Sequence, residues 1–178
     1  MKLFTAVCLT TALVLVAGSV PASAQTPAKP ATTKPATTKP AAKPGTTAGS
    51  KAARTVELTG GDNMKYDKAT VAARPGETLH VVLKNTGTMP KAAAAHNFVL
   101  LKAGTDQVAF TNAAFNARET DFIPPQMKDA VITSTALAGP GETVETTFKV
   151  PAKPGRYAFL CSFPGHFGLG MRGTLVVK

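Results

Sequence analysis

Cys161, His166 and Met171 stand at steps of five residues in YAFLCSFPGHFGLGMRGTLVVK, and a second imidazole, His96, stands upstream in AHNFVLL. Two imidazoles, a thiolate and a weak axial thioether are the donor set of a blue-copper electron-transfer site. A helix cannot gather donors at this spacing. Steps of five scatter side chains around its axis, and Pro164, Gly165, Gly168 and Gly170 would break it. The segment therefore reads as a loop whose Pro-Gly turn carries His166 back to the sulfur of Cys161, while FGLG returns Met171 to the same centre. Softness selects the metal: thiolate with thioether favours copper, one ion per chain, whereas a closed zinc site recruits a further Cys, His or carboxylate. Taken singly, a core Met, a turn His and a buried free Cys are ordinary. Their coincidence at ligand spacing is what points to a metal.

Strands must position these donors. TVELTG, ATVAARPGE, TLHVVLKNTG, HNFVLL, AVITSTAL, ETVETTFKV, GRYAFLC and GTLVVK are β-rich or alternating runs separated by PGE, GPGE and KPG turns. They predict one all-β domain over 55–178, a β-sandwich large enough to bury a core without disulfides. Residues 103–130 lack alternation, and DQVAFTNAAFNARE predicts a short helical flap ended by Pro124 and Pro125. In TLHVVLK, Leu79, Val81 and Leu83 share one face and His80 the other, which makes His80 a surface-strand residue and not a ligand.

The first 54 residues read differently. Lys2, an apolar run over 3–18 and Ala22-Ser23-Ala24 predict a signal peptide over 1–24, cleaved between Ala24 and Gln25, and hence a periplasmic or otherwise exported product. Its removal takes away Cys8 and leaves Cys161 as the one cysteine. In an oxidising compartment a lone thiol is a liability unless buried or metal-bound. Residues 25–54, with ATTKP in tandem, carry no large apolar side chain and predict a disordered Pro/Ala/Thr/Lys-rich linker, a semi-rigid tether. Lys29, Lys34, Lys39, Lys43, Lys51 and Arg54 face no acid there, so of the net +10 only +3 remains on 55–178. The basic balance is a property of the tail. It fits weak association with membrane or cell-wall anions, and nothing in it supports nucleic-acid binding.

GDNMKYD, MPKAAAAHNFVLL, VITSTALAGPGETVETTFKV and FLCSFPGHFGLGMRGTLVVK together resemble the azurin-like cupredoxins, azurins and auracyanins, over essentially all of 55–178. The resemblance implies a Greek-key β-sandwich holding type 1 copper, with His96, Cys161 and His166 equatorial and Met171 axial. It further implies a backbone carbonyl from Ala95 opposite Met171, Asn97 tying the ligand loops together, and the amides of Asn97 and Phe163 hydrogen-bonded to the cysteine sulfur. Departures from azurins are Ala95 where Gly is common, four residues between His166 and Met171 where three are typical, no disulfide, Phe98 in place of Trp, and Asn85 where many carry a histidine.

The expected function is one-electron transport, with copper cycling between Cu(I) and Cu(II) and redox proteins such as cytochromes or copper oxidoreductases as partners. Met89, Pro90, Phe163, Pro164, Phe167 and Leu169 form the expected apolar apron for docking around His166, with Lys91 and Arg172 steering acidic partners. A periplasmic copper-binding or delivery protein is the alternative, but it would favour open, exchangeable sites. An enzyme would need further ligands and a substrate site, and only His80 is left over. Because the tether holds no candidate ligand, a chain beginning at Ala53 should keep the copper spectrum and reduction potential of the mature protein. Only its sedimentation with anionic vesicles or wall polymer should fall; an altered spectrum would mean that the tether packs on the site.

Overall fold

The computed structural model describes residues 52–178. The expected signal peptide and nearly all of the expected linker lie outside the described residues. Eight strands form where the alternating runs stand: β1 (Arg54–Gly60), β2 (Thr70–Ala73), β3 (Thr78–Asn85), β4 (Val99–Leu101), β5 (Val131–Ser134), β6 (Thr143–Lys149), β7 (Gly155–Leu160) and β8 (Arg172–Val177). Two helices, α1 (Lys91–Ala94) and α2 (Gln107–Ala114), lie on either side of β4 in the chain.

The strands make two sheets, β1-β3-β6 and β2-β8-β7-β4-β5. β1 runs parallel to β3 and β2 parallel to β8, while every other pairing is antiparallel. Two neighbouring pairs, β4-β5 and β7-β8, are consecutive in the chain and the others are crossovers, as in a Greek-key sandwich. Alternation decides the facing: Val56 and Leu58, then Leu79, Val81 and Leu83, point between the sheets to meet Leu100, Tyr157, Phe159, Leu175 and Val177. His80 points away, and its Nε2 lies 3.0 Å from Glu145 on the solvent face, as a surface-strand histidine should.

The flap explains why β4 is buried on both faces. Leu100 enters the sandwich, whereas Val99 and Leu101 turn outward beneath Phe110 of α2, joined by Leu160 and flanked by Ile123, Met127 and Phe167. Asp106 caps α2 by accepting from the amides of Val108 at 2.9 Å and Ala109 at 3.0 Å. Two features depart from expectation. Arg54, assigned by the sequence to the linker, opens β1: its Nη2 donates to Glu77 Oε1 at 2.6 Å and to the Ala72 carbonyl at 2.7 Å. The alanine run after Pro90 winds into α1, a single turn that strand-turn punctuation does not disclose.

Phe110 is fully buried, so Phe110→Ala should cost about 3–5 kcal/mol in denaturant unfolding. A change within about 0.5 kcal/mol, typical of a surface position, would show that the flap is not part of the cooperative core.

Candidate metal centre

The chain beyond β7 carries Cys161, and the chain entering β8 carries Met171. A hydrogen bond from the Cys161 amide to the Met171 carbonyl, 3.0 Å, closes the loop between them at its base. Inside, the Phe163 carbonyl accepts from the His166 amide at 3.2 Å across Pro164-Gly165, with Gly165 at φ 85°. Proline followed by a residue at positive φ suits a type II turn, so the local sequence itself reverses the chain. The His166 carbonyl then accepts from the Met171 amide at 3.0 Å. His96 comes from the scaffold. It exchanges backbone hydrogen bonds with Ala138 at 3.0 and 2.7 Å, and the same Ala138 carbonyl accepts from Nδ2 of buried Asn85 at 3.0 Å.

These elements bring the expected ligands to one point. His96 Nδ1 lies 3.2 Å from His166 Nδ1, which lies 3.4 Å from Cys161 Sγ, and one donor atom from each of the three falls within 4.8 Å of the others. Met171 adjoins His96: a Cβ built on Gly60 would touch Cε of the one and Cδ2 of the other. The Ala95 carbonyl stands 4.0 Å from Cys161 Sγ. His96, Cys161 and Met171 are fully buried, and His166 keeps 3% of its surface.

Burial pushes the Cys161 thiol up to about 12, with the backbone amides of Asn97 and Phe163 pulling the other way by hydrogen bonding to the sulfur. Burial, then the neighbouring His96, takes His166 down to about 4, and burial lowers His96 as well. Both imidazoles are therefore held neutral, with their Nδ1 atoms turned to the sulfur. The other nitrogen of the His96 ring, Nε2, is buried away from the cluster, and a hydrogen bond to the Gly61 backbone works against the lowering of this imidazole. Neutral nitrogens and a polarizable sulfur, crowded together by burial, fit a soft cation. Copper fits this donor set.

Asn97, fully buried, joins the two ligand segments. Its Oδ1 accepts from the Ser162 amide at 2.9 Å, and its Nδ2 donates to Ser162 Oγ at 2.9 Å and to the Asp121 carbonyl at 3.2 Å. Its own carbonyl accepts from the Tyr66 hydroxyl at 2.5 Å. Sequence reasoning missed Tyr66, Ser162 and Asp62, which accepts from the Thr88 amide at 2.9 Å and from its hydroxyl at 2.8 Å and so braces the segment before Met89. Tyr66 and Asp62 sit in the GDNMKYD stretch that carries part of the resemblance, but nothing in that stretch has the spacing of a site.

The expected apron is uneven. Leu169 is 62% exposed and Pro90 exposed, while Met89, Phe163, Pro164 and Phe167 are half-buried. The Phe163 ring lies 4.7 Å from that of His166, and Phe122 from beyond the flap packs edge-on against Phe163 at 5.1 Å. Lys91, expected to steer partners, is engaged by Glu142 at 2.7 Å, and the Arg172 guanidinium lies over the Phe167 ring at 4.9 Å. One open cleft is lined by Arg54, Arg74, Glu77 and Lys178, at the end of β1 remote from the ligands.

Residues 52–178 match the family described as copper binding proteins, plastocyanin/azurin family. Auracyanin-B of Chloroflexus aurantiacus is 36% identical over 126 residues, 70% of this chain and 52% of that protein, so the chain spans about half the length of this relative. Azurin of Alcaligenes faecalis is 36% identical over 123 residues, 67% of this chain and 94% of that one. Among solved structures, the dithionite-reduced auracyanin of Roseiflexus castenholzii superposes with a TM-score of 0.62 at 38% identity, covering 71% of this chain and 99% of the other. With soft donors converging in a two-sheet sandwich, the chain belongs to the plastocyanin/azurin family of copper-binding proteins, with a single type 1 copper site.

Proposed function

We propose that the protein is an exported one-electron carrier, docking briefly with redox proteins through the apolar rim around His166. The observation that carries this reading is the convergence of His96, Cys161 and His166 donors in a closed pocket with His166 at its edge. Bound copper would supply the one-electron couple. The chain's own residues would do the rest: Cys161, His96 and His166 would hold the metal, and the Met171 thioether and the Ala95 carbonyl would modulate it as weaker donors. The amides of Asn97 and Phe163 draw charge from the sulfur. Phe163, Pro164, Phe167 and Leu169, with Met89 and Pro90, offer a surface that sheds water on contact without tight affinity. Arg172 adds positive charge at its margin. Burial of all three donors disfavours the delivery alternative, since an exchangeable site needs an open approach. Export rests on the leader pattern over 1–24, and weak attraction to anionic surfaces on the basic linker over 25–54.

Cys161→Ser tests the reading. A serine hydroxyl is a hard, weakly acidic donor, so the intense visible thiolate-to-copper band should vanish entirely. A folded Cys161→Ser protein that stays blue would remove Cys161 from the site.

Protonation gives a second test, on the metal-free protein. His166 is lowered from 6.5 to about 4, so its contribution to stability is present above pH 6.5 and lost as pH falls towards 4. Cys161 is raised from 9.0 to about 12, so its contribution is present below pH 9 and lost as pH rises towards 12. Thermal unfolding across pH should show a plateau between these limbs, and His166→Gln, which cannot titrate, should make the acid limb shallower. An acid limb unchanged by His166→Gln would contradict the neutral buried imidazole.

A further inference from the structure

Gly60, the last residue of β1, makes close contact with the ligand set through the side chain it lacks. A Cβ at this position would stand 2.5 Å from Met171 Cε and 3.3 Å from His96 Cδ2. The Gly60 backbone cannot retreat. It is in register with Asn85 on β3, bridged to Tyr66, and its carbonyl accepts from the Thr86 amide at 2.7 Å and the Thr86 hydroxyl at 3.1 Å. The Met171 backbone is held too, its amide by His166 and its carbonyl by Cys161. Met171 is fully buried, so a displaced methyl has only the ligand pocket to move through. Between two fixed backbones, the one adjustable part is the thioether arm.

We propose that Gly60 is a positioning residue for the axial ligand: the absence of a side chain there sets how closely the Met171 sulfur can approach the metal, and so tunes the reduction potential. This rests on the copper reading above. A methyl at residue 60 turns the Met171 arm away, and a weaker axial thioether favours Cu(I), because the oxidised ion gains more from the extra donor. His96 is less affected, since its ring is 0.8 Å farther from the added carbon than Met171 Cε (3.3 against 2.5 Å).

The experiment is a double-mutant cycle of Gly60→Ala with Met171→Ala, read by the reduction potential and visible spectrum of the copper-loaded proteins and by melting of the metal-free ones. Gly60→Ala alone should keep the intense band and raise the preference for Cu(I) about tenfold, about 59 mV in a one-electron couple. In the Met171→Ala background the same substitution should leave the potential unmoved, and the melting temperature that Gly60→Ala lowers in the metal-free protein should recover. An unchanged potential in Gly60→Ala overturns the proposal, as does an equal shift in both backgrounds, which would route the effect through His96. Should Gly60→Ala fail to fold, folding of the double variant still supports it, and failure of both shows that β1 itself requires glycine and overturns it. A wild-type protein that takes up copper without an intense visible band would sink the copper reading instead, independently of residue 60.

Discussion

Three polar donors converge where burial keeps each of them uncharged. Cys161 Sγ, His96 Nδ1 and His166 Nδ1 crowd a pocket whose burial disfavours a thiolate and disfavours both imidazolium ions. Left to itself such a cluster would spread apart or admit solvent, so the surroundings must hold it against its own preference. The constraint is met covalently at short range, by a loop that joins two of the donors, and through the sandwich at long range, because His96 arrives from another part of the chain.

Asn97 and Ala138 are where those two ranges meet. One residue after His96, Asn97 grips Ser162, one residue after Cys161, by two hydrogen bonds, and reaches the chain beyond the flap at Asp121. Ala138 holds the other side of His96 while Asn85 holds Ala138. Asn85 does this with a neutral amide. A histidine in that position, the common alternative in azurins, would bring a titrating group to the same support, so the scaffold behind His96 here does not change its charge. The chain that follows the flap participates as well, since Phe122 packs on Phe163, the residue whose amide faces the sulfur.

Much of this was legible in the sequence, and for identifiable reasons. All eight strands fall in β-rich or alternating runs broken by Gly and Pro, and the ligand loop follows from a Pro-Gly turn between soft donors, because these signals act over a few residues. What escaped was long-range or conformational. Tyr66 is a loop aromatic until its hydroxyl is seen beneath Asn97, and Gly60 a strand-end glycine until Met171 is found against it. The α1 turn was hidden among alanines that the punctuation reading treats as connection. Lys91 read as a free charge because Glu142, its partner, stands fifty-one positions away.

β1 is also a direction. It begins at Arg54, pinned to Glu77 and Ala72, and finishes at Gly60 against the ligands, a span of about 20 Å at strand rise. The backbone preceding Arg54 therefore joins the domain at its blunt pole, while the imidazole edge of His166 occupies the other. Entry at that pole leaves the rim of His166 clear of the first described residues.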